Sequence, residues 1–179
     1  DGPFSGLVIG EAHNAQSSKA LLRTHMKSIK EAGFQTLYVE HLLTDLHQAE
    51  LDIFHRTQRF PERLKSYLKA QDGGHMPRYR GLDTYSNTIQ AAAKHGIRVR
   101  ALDCTASYHL RGLRGNGKSR TQMFNYFASR VIQDDQARHG PHKWVAFVGS
   151  SHTNTYQSVP GLVQLQDAVS LHVQDTASG

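Results

Sequence analysis

Apolar residues recur along the chain in short blocks separated by amphipathic stretches. Leu7-Val8-Ile9, closed by Gly10, reads as a buried strand. Leu22, Met26 and Ile29 then fall at i, i+4 and i+7, flanked by Leu21 and His25. They form one face of a helix, with Gly33 where a C-terminal cap belongs. A second strand is expected over residues 34–39, through Leu37-Tyr38-Val39, ending at Glu40. Two helices are expected next, over 46–55 and over 61–70, the second with Pro61 at its first turn, and an irregular loop over 71–81. A short helix over 87–95, capped by Gly96, precedes a third strand in which Ile97, Val99 and Ala101 alternate with Arg98 and Arg100 before Asp103. Phe124, Phe127, Ala128 and Val131 predict another helix, Trp144-Val145-Ala146-Phe147-Val148-Gly149 a buried strand, and Leu171-His172-Val173 an edge strand.

Strands alternating with helices at this spacing imply an α/β fold with a mainly parallel central sheet and helices on both faces, because parallel neighbours need crossover connections. Residues 1–179 are expected to form one domain, since no linker or repeat divides them. In such a sheet the carboxyl ends of the strands share one rim, where ligands bind. Glu11 and His13 follow the first strand, Glu40 and His41 the second, Asp103 the third, and Ser150, Ser151 and His152 the fourth. Taken singly, Asp103 or Ser150 is first of all a capping or turn residue. Two Glu and two His at equivalent positions are harder to explain that way, because both are poor N-cap residues.

Two chemistries stay open. His13, Glu40 and His152 could hold a divalent metal ion with a position left for an activated water. Alternatively, one imidazole acts as general base while a carboxylate fixes its tautomer. Of the other histidines, His25, His47, His55 and His95 fall on predicted helices and His75, His109, His139 and His142 on predicted loops, where a solvated ring is the default.

Composition narrows the class only a little. Hydrophobic residues are 38% and charged residues 20%, which suits a folded core rather than disorder. The net charge of +6 and pI near 9.6 are compatible with an anionic ligand. The basic residues are scattered, so nucleic acid is not expected, and the densest stretch, 98–120, includes a solvated loop. A single cysteine, Cys104, excludes an intrachain disulfide and points to a reducing compartment. No apolar run approaches the roughly 18–20 residues of a membrane span, and the first residues lack signal-peptide character. The absence of an initiator Met suggests a domain excised from a larger protein.

Residues 112–119, Gly-Leu-Arg-Gly-Asn-Gly-Lys-Ser, satisfy the phosphate-loop pattern letter for letter. That loop requires a strand running straight into it, and residues 106–111 do not form a buried strand. No apolar run ending in Asp follows to hold magnesium. A flexible basic loop is the favoured reading, with Arg114, Lys118 and Arg120 the candidates should an anion bind there.

The same residues carry a resemblance. Gly10-Glu11-Ala12-His13 resembles the Gly-Glu-x-His opening of the erythromycin esterases and ChaN-like haem-binding proteins, and is similar to the Gly-x-x-His motif of TIKI/TraB proteases. Tyr38-Val39-Glu40 resembles their second motif. Arg120 resembles the Arg opening the corresponding helix of ChaN-like proteins, and Phe147-Val148-Gly149-Ser150-Ser151-His152 the late Gly-x-x-His. The tail, with Val159-Pro160-Gly161-Leu162, looks most like related domains of bacterial toxins and plant-pathogen effectors, including Pasteurella dermonecrotic-type toxins.

This resemblance implies a secreted effector or toxin domain, working in the host cytoplasm, that hydrolyses a host-cell target or small molecule. Glu11, His13, Glu40, Arg120 and His152 would carry the chemistry. The short segment between Glu40 and Asp103 argues against a macrolide substrate, and no residue matches a haem-ligating Tyr. Two other functions remain open: a non-catalytic recognition module of the same fold, and phosphate binding through 112–119.

Overall fold

The computed structural model describes residues 5–110 and 117–175. Strands β1 (Gly6–Glu11), β2 (Phe34–Leu43), β3 (Arg98–Asp103), β4 (Lys143–Gly149) and β5 (Val169–His172) form one sheet in the order β3-β2-β4-β1-β5. Every neighbouring pair runs parallel. The helices are α1 (Ser17–Glu31), α2 (Thr44–Thr57), α3 (Glu62–His75), α4 (Tyr85–Lys94), α5 (Thr105–His109), α6 (Gly117–His139) and α7 (Leu162–Gln166). The architecture is the α/β fold with a parallel central sheet that the pattern predicted.

The period of two along each strand sorts the core into two layers. Ile9, Leu37, Val39, Val145 and Phe147 pack against Leu22 and Met26 of α1 and against apolar residues of α2, α3 and α4. Val8, Tyr38, Trp144, Ala146 and Val148 face the other way, onto Phe124, Ala128 and Ile132 of α6 and Leu162 of α7. Burial on both faces explains why the central strands read as unbroken apolar runs.

The connection from β1 through α1 leaves a gap that β4 fills much later in the chain, so the tip of β4 lies between the tips of β1 and β2. Glu11 is in register with Gly149, and Val39 with Phe147. At the end of α1, Gly33 takes a left-handed φ of 91°, which a glycine adopts without steric cost.

Several boundaries differ from expectation. Helix α3 continues through Gly73 and Gly74 to His75, and α4 begins at Tyr85, so the predicted 71–81 loop shrinks to residues 76–84. A helix-interior Gly costs about 1 kcal/mol relative to Ala. Buried Leu64 and Leu68 hold this helix in place, and the Asp72 carboxylate accepts hydrogen bonds from the Tyr85 and Ser86 amides at 2.7 and 3.3 Å. Strand β2 runs three residues past Glu40 to Leu43, and its pairing with β3 shifts register between Val39 and Leu43.

Candidate active site

The carboxyl ends of β1, β2, β3 and β4 meet around a pocket of about 160 Å³ lined by His13, Glu40, His41, Asp103, Arg120 and His152, with Tyr108 at its edge. Glu40, Arg120, His13 and His152, expected from sequence, share this pocket, and Glu11 lies directly behind His13.

Glu11 ends β1 and is buried. Its Oε1 accepts from Nδ1 of His13 at 3.2 Å and from the Tyr85 hydroxyl. Its Oε2 accepts from Ser18 at 3.1 Å and from the Lys19 ammonium at 2.8 Å. Lys19 is wholly buried, and its remaining protons go to the carbonyls of His13 and Ala15 at 3.1 and 2.8 Å. Burial by itself would raise the Glu11 carboxyl. The hydrogen bond from His13 and the Lys19 charge outweigh it and hold the group below its ordinary value.

Tyr85 has one proton to give and gives it to Glu11, so Nε2 of His41 donates to the phenol oxygen at 2.7 Å. Burial and the Glu11 charge beside it push the Tyr85 phenol upward, which keeps it protonated. Burial, opposed only in part by Glu40 and Glu11, pushes His41 down to about 3 and makes it a neutral ring at ordinary pH.

The second half of the site joins β2, β4 and α6. Glu40 Oε2 accepts from the Gly149 amide at 2.6 Å, and Oε1 stands 3.3 Å from Nε2 of His152. The other ring nitrogen of His152 meets Asn125 Oδ1 at 2.8 Å. The Asn125 amide is oriented by its own donation to the Pro160 carbonyl at 2.8 Å, so His152 Nδ1 must be the donor. Burial would raise the Glu40 carboxyl, but the His152 charge and hydrogen bond hold it well below the usual carboxylate range.

Arg120 donates to Asp103 at 2.7 Å and to Ser107 at 3.0 Å, lies 3.6 Å from Glu40, and rests on the Phe124 ring. Burial raises the Asp103 carboxyl even with Arg120 beside it. Gly149 leaves room for the rest: a Cβ there would lie 2.8 Å from His13 Cε1 and 3.3 Å from Glu40 Oε2.

The imidazoles of His13 and His152 are therefore not equivalent. His13 gives Nδ1–H to Glu11 and keeps Nε2 for the pocket, the arrangement of an oriented general base. His152 has both nitrogens against acceptors, the arrangement of a proton donor. With Nδ1 turned to Asn125, only Nε2 of His152 faces the pocket, 3.3 Å from Glu40. The ligand atoms that do gather within 4.8 Å are those of Glu11, His13 and His41. There the Lys19 ammonium already neutralises Glu11, and both carboxylate oxygens are engaged. A second cation there would face that ammonium, which argues against a divalent ion at this donor set.

Four residues packed around the pocket's side chains were not expected there from the chain pattern. Lys19 lies three residues before Leu22 on the apolar stripe of α1, and a lysine on a buried stripe is the signal that could have found it. Tyr85 fell just outside the helix predicted over 87–95, and Asn125 is a polar interruption in the buried face of α6. His75 belongs to α3 and stacks on His41 at 4.9 Å instead of being solvated in a loop. His47 is likewise buried, its Nδ1 accepting from the Leu43 amide at 2.9 Å. Of the phosphate-loop pattern, residues 112–116 lie outside the described residues. What precedes them is helix α5, not a strand, and Lys118 is exposed on the first turn of α6.

No protein-family model matches the chain. Over 178 residues it is 27% identical to a multifunctional-autoprocessing repeats-in-toxin protein of Vibrio vulnificus, a match that covers 96% of this chain and 3% of that protein. The crystal structure of RRSP, a MARTX toxin effector domain from Vibrio vulnificus CMCP6, superposes with a TM-score of 0.77 at 26% identity, over 96% of this chain and 34% of that one. The C-terminal region of Pasteurella multocida toxin, described as having a thiol-protease-like catalytic triad, shares the fold at a TM-score of 0.71 and 19% identity, over 95% of this chain and 23% of that one. The chain is thus similar in sequence and fold to effector domains of bacterial toxins, and spans only a small part of those relatives.

Proposed function

We propose that this chain is a hydrolase domain of a bacterial effector or toxin that acts on a carbonyl group of a host protein without a metal ion. The observation that carries the reading is the asymmetry of the two imidazoles, one backed by Glu11 and open to the pocket, the other clamped between Glu40 and Asn125. His13 Nε2 takes a proton from water, whose oxygen forms the new bond to the carbonyl carbon. His152 gives its proton to the leaving nitrogen or oxygen as that bond breaks, and Arg120 donates to the developing oxyanion. His13 and His152 then exchange the proton back through solvent.

The resemblance to the erythromycin-esterase, TIKI and ChaN-like proteins supports hydrolysis, and the toxin relatives support delivery into a host cell. A pocket of about 160 Å³ is small beside the roughly 300–1,000 Å³ of sites that enclose drug-sized ligands. It suits one functional group presented by a macromolecule. A thiol nucleophile is not part of this reading, since Cys104 is not among the residues lining the pocket.

The test is to produce the chain in host-type cells and compare new protein N-termini between the wild type and the His13→Ala and His152→Ala variants. New termini confined to the wild type are expected, with each variant slower by at least about 10²-fold, the usual contribution of a positioned acid or base. Unchanged signalling or toxicity from the folded double variant would instead favour the recognition module.

A further inference from the structure

Away from the catalytic rim, a groove of about 300 Å³ opens between the ends of α2 and α6, across edge strand β3. Arg56 and His55 enter it from the last turn of α2, Arg98 and Arg100 from β3, and Arg138 and His139 from the last turn of α6. We propose that this groove is a binding site for a small phosphate-bearing ligand, a function separate from the hydrolytic pocket.

Four guanidinium groups stand near only two carboxylates here, Asp52, which accepts from Gln48 at 2.8 Å, and Asp135. Asp135 is already committed. It accepts from Tyr38 at 2.7 Å and from both terminal nitrogens of Arg98 at 2.8 and 2.5 Å, and it lies 3.2 Å from His139. Arg100 reaches it only through Nε at 3.3 Å, and that nitrogen is buried without a hydrogen-bond partner. Nδ1 of His55 is also buried and unpartnered. Arg56 and Arg138 form no ion pair or hydrogen bond among the described residues.

Cations in the last turn of a helix can serve the helix dipole, which accounts for Arg56 and Arg138 as sequence features. It does not account for two strand arginines opening into the same groove as these two. A ligand bringing two negative charges and several acceptor oxygens supplies the partners that exposed Arg56 and Arg138 lack among the described residues. Planar guanidinium forks match that geometry better than ammonium groups do, which favours a phosphate over a simple halide.

The experiment is calorimetric titration of the folded chain with inorganic pyrophosphate at low and physiological salt, alongside the Arg56→Gln/Arg138→Gln variant. Both of those residues are exposed and neither touches Asp135, so the variant should melt with the wild type. Saturable binding to the wild type, weakened at least about tenfold in the variant and competed by phosphate but not chloride, is expected. No binding, or equal binding by wild type and variant, would overturn the proposal. So would binding of a phosphoserine peptide when pyrophosphate does not bind. His13→Ala should leave the titration unchanged, which keeps this outcome independent of the hydrolase reading.

Discussion

Replacing Lys19 by Met tests the electrostatic arrangement behind the candidate base most directly. Met keeps the apolar stem of the side chain and removes the cation, so Glu11 loses its 2.8 Å partner while remaining buried. Breaking a buried pair from one side costs about 3–5 kcal/mol. Glu11 can limit the damage by taking a proton. From its ordinary value of 4.5, that costs about 3.4 kcal/mol at pH 7, at 1.36 kcal/mol per unit. The carbonyls of His13 and Ala15 lose a donor as well, so a total near 4 kcal/mol is expected. In a domain of this size that corresponds to a fall of about 8–16 °C in melting temperature.

Urea unfolding at pH 7 is the assay, and it carries two further signatures. The deficit should shrink as pH falls toward 5, because protonating Glu11 removes the uncompensated charge. The double variant Lys19→Met/Glu11→Gln should recover at least about 2 kcal/mol of the single variant's loss. A single-variant loss below about 1 kcal/mol, or strict additivity of the two substitutions, would refute the view that Lys19 is the fixed countercharge of Glu11.

Three other perturbations probe the remaining contacts. His41 is neutral and buried with its value lowered to about 3, so the unfolded chain binds its proton first. Stability is then full above about pH 6.5 and declines below it, by about 2 kcal/mol at pH 5. Urea midpoints at pH 7 and 5 should differ by that amount in the wild type and by clearly less in His41→Gln. Gly149→Ala places a methyl 2.8 Å from His13 Cε1. His13 is part-exposed and can move aside, so the melting temperature should change little while activity on any identified substrate falls at least about tenfold; an active variant would show that the placement of His13 is unimportant. Asn125→Leu removes the acceptor of His152 Nδ1 and should shift the alkaline limb of a pH–rate profile, the limb set by the general acid, an effect that loss of packing alone would not produce.

Much of this molecule was legible before any coordinates. Strands β1, β2 and β4 marked themselves by apolar runs, because strands buried on both faces admit little else, and polar residues that build the rim follow those runs. Glu11, His13, Glu40 and His152 could be named because parallel strands put their carboxyl ends together whatever their order. The chain pattern did not contain the order itself. β4 inserts between β1 and β2, and only that placement brings Gly149 against Glu40 and His13. A regular strand would also have turned His41 away from Glu40. The register shift after Val39 lets both line one pocket, and such a shift is set by strand pairing rather than local sequence. Lys19, Tyr85 and Asn125 were hidden for the same reason. Each lies on a helix whose apolar face determines that it packs, while the carboxylate or imidazole it meets is chosen by how that helix crosses the sheet.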